Sequence, residues 1–331
     1  GWREWKNLAD LIIAEDAAAG FGIFARSLTQ GDKDYDAWIQ EIVHDPRFEL
    51  WLHGWTSYGP AGEPGMEFKG TPPDYQRNAF ERSREAFLTR CDLVMRTYSE
   101  HWHGGDETTA RLVAEDPFLR VWMCWGWGKD REDRMKIVPE DRRVLNRLMV
   151  GMECADPAKW EPGYVNYDEF LKGYAGHEKE PVIIVQGHPW SWTETSKKPD
   201  RTGSVRDRWG EFLKIVRFFK ARGARFLTPY GYYLSLRGCA ADHSDPAAPT
   251  NLKVAGLTGD RVGLTWTAPP SPPSGLDGYK IYRDGKPFAL ALIPSWTGAC
   301  QGLSPKTFFQ VSAFSRAERQ SPRSSSVSLP R

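Results

Sequence analysis

The sequence lacks an excess of charge, a long apolar run and closely paired cysteines. Its 44 basic and 43 acidic side chains leave a net charge of +1, so charge gives no reason to expect nucleic acid or an anionic membrane as a partner. No apolar run approaches the roughly 20 residues that a membrane-spanning helix needs. The five cysteines are widely spaced and include no CxxC pair, which argues against a structural zinc cluster.

Tryptophan is the residue that the sequence has in excess. Of its 15 tryptophans, 13 precede residue 210, so the excess belongs to one part of the chain. Core packing explains any single tryptophan, but several stand beside glycine or histidine at the ends of predicted strands, where an indole can stack on a sugar. The candidates for such substrate binding are Trp55, Trp125, Trp127, Trp190 and Trp192.

Residues 1–238 alternate between helical and strand patterns. Helices are predicted at 2–15, 34–44, 74–91, 106–115, 166–174 and 206–222. Strands are predicted at 21–25, 48–53, 93–98, 119–125, 182–186 and 225–228. This alternation is typical of βα units around a parallel sheet. We therefore predict an α/β domain whose sheet is closed, or nearly closed, into a barrel.

The pattern changes after Gly238. Residues 239–247 form a short polar linker, and residues 248–331 show short strands separated by turn residues. Trp266 is placed as a core tryptophan, residues 278–285 (GYKIYRDG) read as a strand and its turn, and Phe309 stands where a corner tyrosine is usual. This segment resembles a fibronectin type III domain. The resemblance implies an immunoglobulin-like β-sandwich that serves as a spacer or a binding appendage.

Two predicted strands end in a histidine beside tryptophan. The runs are 48–55 (FELWLHGW) and 181–192 (PVIIVQGHPWSW). Each is apolar and then opens into a loop, as a buried strand does. Ligands bind at the carboxyl ends of parallel strands in α/β folds, and imidazoles placed there can bind metal or transfer protons. His53 and His188 are therefore the leading site candidates.

Three local motifs in residues 1–238 resemble the polysaccharide deacetylase family, the carbohydrate esterases of family 4. They are 52–57 (LHGWTS) followed by Glu67, 101–108 (HWHGGDET) and 185–189 (VQGHP). The resemblance implies a distorted (β/α)7-type barrel, complete or without its first strand. It implies a divalent metal, zinc in many members, that serves to remove N- or O-acetyl groups from a polysaccharide. It also implies a secreted or periplasmic protein.

The family's site residues match this sequence in part. His53 matches the first metal-binding histidine, and His188 matches the late catalytic histidine that protonates the leaving amine. Ser57 stands where the family has its second metal-binding histidine. The family's aspartate pair would precede the first predicted helix and would lie upstream of Gly1.

Other residues in strand-end loops are candidates to complete the site. His101 and His103 follow a predicted strand and, two residues apart in an extended segment, share a face. We predict His103 as a metal ligand beside His53, and Asp106 as a catalytic carboxylate, although Asp106 also suits a helix N-cap. Glu67 joins the tryptophans as a substrate-binding candidate.

Three functions are compatible with these residues. The first is a metal-dependent hydrolase that removes acetyl groups from a polysaccharide. The second is a non-catalytic glycan-binding protein on the same scaffold, which Ser57 and the missing aspartate pair favour. The third is a glycoside hydrolase or lyase that works through carboxylates such as Glu67, Asp106 or Glu194. The ability to bind an ion separates the first function from the other two.

Overall fold

The computed structural model describes residues 2–64, 67–101, 104–123, 133–134, 136–139, 148–151, 166–179, 182–187 and 208–329. Its helices are α1 (Trp2–Ala14), α2 (Lys33–Val43), α3 (Pro73–Cys91), α4 (Glu107–Glu115), α5 (Tyr167–Tyr174), α6 (Arg208–Ala221) and α7 (Pro229–Leu236). Its strands are β1 (Ala19–Phe24), β2 (Phe48–Gly54), β3 (Thr97–Tyr98), β4 (Val121–Trp122), β5 (Leu148–Gly151), β6 (Ile183–Gln186), β7 (Thr250–Thr258), β8 (Arg261–Thr267), β9 (Leu276–Arg283), β10 (Lys286–Ala291), β11 (Ser295–Ala299), β12 (Phe308–Ser315) and β13 (Val327–Ser328). None of the described helices is both long and apolar enough to cross a membrane.

The chain divides into two compact units, each made of several segments. The first comprises Gly1–Gly20, Lys33–Glu49 and Val144–Thr228. The second comprises Phe21–Asp32, Leu50–Arg143 and Pro229–Arg331. The domain boundaries expected from the sequence, at 1–238, 239–247 and 248–331, stay a prediction.

Apolar and aromatic side chains hold the helices of the first unit together. Leu8 and Ile12, one turn apart on α1, are buried, as the helical repeat requires of an inward face. Trp2 stacks on Trp38 of α2, with ring centroids 6.1 Å apart. On α5 and α6, an aromatic cluster is centred on Phe170, which is 1 % exposed. β5 and β6 pair in parallel in this unit.

The second unit is built on a four-stranded sheet in the order β1-β2-β3-β4. β2 and β3 are parallel, with Leu52 opposite Tyr98, and β3 and β4 are parallel, with Tyr98 opposite Trp122. Helix α3 connects β2 to β3, and α4 connects β3 to β4, so both connections are βαβ units. The predicted α/β fold with parallel strands is confirmed. Its closure into a barrel stays a prediction.

The alternation of side chains along β2 decides which face of the sheet carries His53. Leu50 and Leu52 are buried, whereas Trp51 and His53, which alternate with them, are partly exposed. Tyr98 of β3 shares the buried face and packs against Phe80 of α3, with ring centroids 4.8 Å apart. The apolar layer under α3 therefore turns His53 to the opposite face.

The strand expected at 225–228 is wrong. Residues 224–228 are irregular, and α7 begins directly after them at Pro229. Proline suits the first position of a helix, and it restricts the residue before it to extended conformations. An extended approach to a helix therefore produced the strand-like pattern.

The segment after α7 forms two antiparallel sheets that share one core. The strand orders are β10-β9-β12-β13 and β11-β8-β7. The common core includes Trp266 of β8, Ile281 of β9 and Phe309 of β12. Phe309 is completely buried, so the aromatic ring fills the predicted corner position without a hydroxyl group. The predicted antiparallel β module is confirmed.

Within the second unit, buried charges join this β-sandwich to the segments that lead into β3 and β4. Asp277 of β9 forms ion pairs with Arg96, just before β3, and with Arg120, just before β4. The side chains of Arg96 and Asp277 are 3 % and 4 % exposed. Burial acts to raise the pKa of Asp277, but the two arginines hold it below its ordinary value. Lys280 of β9 likewise binds Asp92, at 2.9 Å.

Candidate active site

His53 lies at the carboxyl end of β2 within a cluster of rings. Its ring centroid is 5.2 Å from that of Phe24 at the end of β1, 5.1 Å from Trp51 and 5.0 Å from His101. Phe24 also contacts His101, at 5.1 Å. Two imidazoles therefore adjoin at the ends of the strands, bordered by apolar rings.

A backbone carbonyl sets which ring nitrogen of His53 carries a hydrogen. Its Nδ1 lies 2.9 Å from the carbonyl oxygen of Ser99. Because a carbonyl oxygen can only accept a hydrogen bond, Nδ1 carries the hydrogen, and in the neutral ring the lone pair is on Nε2. Metal-binding histidines are commonly oriented in this way, with the other ring nitrogen donating to a carbonyl or a carboxylate. The Ser99 carbonyl therefore orients the ring of His53, and a role for His53 as a zinc ligand stays a prediction.

Ser99 is itself fixed by contacts on both sides of β3. Its N–H donates to the Leu52 carbonyl of β2 at 3.0 Å, and its hydroxyl donates to the carbonyl of Met123, just after β4, at 2.8 Å. Its side chain is completely buried. Sequence reasoning missed Ser99, because a small polar residue at a strand end gives no local signal of the histidine that it contacts.

Glu100 is a buried carboxylate next to His101 in the chain. Its Oε1 accepts a hydrogen bond from Nη1 of Arg134 at 2.6 Å, and its Oε2 accepts one from the indole N–H of Trp122 at 2.9 Å. Burial raises the pKa of Glu100, and Arg134 and Trp122 offset only part of this effect. Gly105 leaves room for the pair, since a Cβ there would lie 2.9 Å from Nη1 of Arg134. Sequence reasoning missed this pair, whose partners are distant in the chain.

Glu67 lies against the loop that follows His53. It is 3 % exposed, its Oε1 accepts a hydrogen bond from the N–H of Thr56 at 3.1 Å, and a Cβ on Gly54 would lie 2.3 Å from its Oε2. Burial raises the pKa of Glu67 to about 8, and the N–H groups of Thr56 and Trp55 lower it only in part. A carboxyl that is protonated at neutral pH thus supports residues 54–56. Its role in substrate binding stays a prediction.

Trp55 is partly buried at the start of this loop. The guanidinium of Arg82 lies over its ring, 4.1 Å from the centroid, and its carbonyl accepts a hydrogen bond from the N–H of Arg26 at 3.1 Å. One face of the indole is thus covered by a cation. Sugar stacking by Trp55 stays a prediction.

Asp106 is the N-cap of α4. Its Oδ1 accepts a hydrogen bond from the N–H of Thr109 at 3.2 Å, and the Thr109 hydroxyl in turn accepts one from the N–H of Asp106, which completes a capping box. Its Oδ2 accepts a hydrogen bond from the N–H of Gly70 at 2.7 Å, and Gln76 donates to both oxygens. The N-cap expectation is confirmed, and the catalytic role of Asp106 stays a prediction.

Other predicted site residues lie outside the described part of the chain. These are His103, Trp125, Trp127, His188, Trp190 and Trp192. Ser57 is described and partly buried. Among the described residues, no group of three His, Cys, Asp or Glu side chains is placed to hold a metal ion. The predicted zinc site therefore stays a prediction.

Comparison with known proteins finds similarities in structure. The chain is similar to a family 4 acetyl xylan esterase from Clostridium thermocellum, solved in complex with a cobalt ion, at 14% identity and a TM-score of 0.44, over 71% of this chain and 85% of that chain. It is similar to the Xyl-CE4 domain of a multidomain xylanase from the hindgut metagenome of Trinervitermes trinervoides, at 11% identity and a TM-score of 0.44, over 71% and 85%. A fibronectin type III domain of a human protein matches 27% of this chain and 89% of its own length, at 21% identity and a TM-score of 0.24. No family model matches the chain, and no curated protein matches its sequence.

Proposed function

We propose that this protein is a metal-dependent hydrolase that removes N- or O-acetyl groups from a polysaccharide. The observation that carries the proposal is the setting of His53. It occupies the place of the first metal-binding histidine in the motif at 52–57, and its Nδ1 is held by the carbonyl of Ser99. Together these features fit an imidazole that binds a cation through Nε2.

The proposed metal is zinc, with His53 and His103 among its ligands. When bound, zinc supplies Lewis-acid polarisation of the acetyl carbonyl. The contribution of the described residues is to orient His53 and to surround it with apolar rings. Phe24 and Trp51 contact its imidazole, and the exclusion of water on those sides strengthens electrostatic interactions there.

His188 is proposed as the acid that gives a proton to the leaving nitrogen or oxygen atom. Imidazole suits this task because its pKa lies close to neutral pH. Asp106 is proposed as a catalytic carboxylate in addition to its capping of α4. The two roles of Asp106 can be separated by a variant that keeps the cap.

The proposed polysaccharide is bound by indole rings. Stacking of one such ring on a sugar should contribute about 1–3 kcal/mol, by analogy with aromatic stacking on bases. Glu67 is buried under the loop of Trp55, and it is proposed to contribute to substrate binding by holding that loop in place. Because the proposed substrate is a polysaccharide, the protein is also proposed to be secreted or periplasmic. The proposed stacking residues are Trp55, Trp125, Trp127, Trp190 and Trp192.

The experiment that tests this function is the release of acetate from acetylated xylan and from N-acetylglucosamine oligomers, with zinc present. The wild-type chain should release acetate. His53→Ala should bind less zinc and release none, whereas His188→Ala should keep zinc and slow the reaction by about a hundredfold or more. His243→Ala, an exposed histidine outside the site, is the matched control and should match the wild type.

One result would contradict the proposed function, and another would overturn the roles assigned to the two histidines. A wild-type chain that binds these oligosaccharides but releases no acetate would establish the glycan-binding alternative instead. Retention of zinc in His53→Ala, together with its loss in His188→Ala, would reverse the roles of the two histidines.

A further inference from the structure

We infer that the β-sandwich is a fixed part of the unit that carries His53, and that it holds the beginning of β3 in place. The sandwich is then neither a spacer nor an appendage that moves separately. The observation behind the inference is that the segments leading into β3 and β4 are buried against the sandwich, through apolar side chains and through paired charges. These contacts lie within the second compact unit and do not depend on the proposed function.

An apolar cluster fills the contact between the sandwich and these two segments. Val94, Phe118 and Phe314 of β12 are buried together, and Leu290 of β10 packs against them. The ring centroids of Phe118 and Phe314 are 6.1 Å apart. A sandwich that moved away would expose these apolar side chains to water, and the hydrophobic effect opposes such a separation.

Arg96 lies beside this cluster, and side chains from several elements enclose it. Its guanidinium is 5.3 Å from the ring centroid of Tyr230 on α7 and equally far from that of Phe314. Its Nη1 donates a hydrogen bond to Asp277 of β9, which also accepts one from Nη2 of Arg120 at 2.9 Å. A charge as deeply buried as that of Arg96 needs its partner in place, so the two sides of the contact fit together in one arrangement.

The segment that connects α7 to the sandwich is itself bonded to the sandwich. Oδ2 of Asp242 accepts a hydrogen bond from the N–H of Ser274 at 2.7 Å. Asp245 forms an ion pair with Arg319, at 2.8 Å. Residues 239–247 are therefore held at two points and do not act as a free tether.

The sandwich contacts β3 close to the strand end that orients His53. Arg96 directly precedes β3, and Ser99 directly follows it, so roughly 10 Å of extended chain separates the two residues. The carbonyl of Ser99 accepts the hydrogen bond from Nδ1 of His53 at 2.9 Å. A fixed Arg96 therefore restricts the strand that sets the orientation of the His53 ring.

The test measures hydrogen exchange by mass spectrometry in the full-length wild type and in Val262→Ala. Val262 is completely buried in the sandwich core, on β8, in the sheet that does not contain Asp277. We expect the backbone amides of β2 and β3 to exchange about tenfold faster in the variant, as those of β9 should, because the loss of two buried methyl groups weakens one cooperative unit. Leu257→Ala, at an exposed position of β7, is the matched control and should exchange as the wild type does.

Faster exchange that is confined to the sandwich, with β2 and β3 unchanged, would overturn the inference. If Val262→Ala does not fold, Ile281→Val takes its place. Ile281 is completely buried in the same core, and the loss of one methylene group should speed exchange in both parts by about two- to tenfold.

A second measurement tests whether the sandwich positions β3. The ring signals of the histidines are recorded for the nitrogen-15-labelled wild type and for Asp277→Asn, with Arg120→Gln in its place if that variant does not fold. We expect the Nδ1 signal of His53 to shift in this variant and to stay unchanged in Asp260→Asn, at an exposed turn of the sandwich. An unshifted His53 signal would overturn the positioning of β3. Neither measurement involves metal or acetate release, so a failure here is distinct from a failure of the proposed function.

Discussion

Glu67 should make the stability of the folded chain depend on pH. The residue is 3 % exposed, and burial raises the pKa of its carboxyl from 4.5 to about 8. Between these two values the folded state keeps a proton that the unfolded chain releases. The stabilisation from this proton is therefore complete below pH 4.5 and declines up to about pH 8. The decline is about 1.4 kcal/mol per pH unit, roughly 5 kcal/mol in all.

Replacement of Glu67 by glutamine keeps the shape of the neutral carboxyl and removes its titration. We expect the free energy of unfolding, measured with urea from about pH 5 to about pH 8, to fall less steeply with pH in Glu67→Gln than in the wild type. The difference in slope should approach about 1.4 kcal/mol per pH unit. Tyr75 and Arg82, which interact electrostatically with Glu67 from α3, are present in both proteins. Glu81→Gln, at an exposed position of α3, is the matched control. Equal slopes in wild type and Glu67→Gln would refute the burial argument.

Three further substitutions test other contacts. Asp277→Asn removes the negative charge that faces Arg96. The buried arginine that remains should lower the free energy of unfolding, measured with urea, by about 3–5 kcal/mol. A loss below about 1 kcal/mol would contradict the importance of this pair. Gly54→Ala places a Cβ 2.3 Å from Oε2 of Glu67 at a φ of +134°. The resulting strain should lower the stability of the fold by about 1–3 kcal/mol and reduce the thermal unfolding midpoint. An unchanged midpoint would count against this packing. Asp106→Asn keeps a good N-cap and should lower the free energy of unfolding by about 1 kcal/mol or less. Acetate release should nevertheless slow by about a hundredfold or more. An unchanged rate would restrict Asp106 to capping α4.

The sequence predicts elements well where a regular pattern is bounded by turn residues. Within residues 248–331, where the sequence predicts short strands, β8 shows this pattern, because its buried and exposed side chains alternate between turn residues at each end. β11 gives no such signal, since only Trp296 and Ala299 in this short strand are apolar. α7 was not predicted either, because its aromatic residues show little helical periodicity.

The candidate site was predictable only where one segment contains the whole signal. His53 follows an apolar strand, so its position at a strand end can be inferred from β2 alone. Its contacts with Ser99 and His101 depend on the register of β2 against β3, which no local pattern specifies. In the sequence Glu67 looks like a polar loop residue. Its burial depends on the absence of a Cβ at Gly54, which leaves space for the carboxyl, and glycine also tolerates the φ of +134° found there.

The most direct test of a metal-dependent deacetylase is whether acetate release depends on zinc. Full-length protein is treated with a chelator, dialysed and assayed on acetylated xylan and N-acetylglucosamine oligomers before and after zinc is restored. We predict that the wild type releases no acetate without zinc and recovers release when zinc is restored, whereas His53→Ala does not recover it. Release that persists without metal, or that never occurs with zinc or another divalent cation, would contradict a metal-dependent deacetylase.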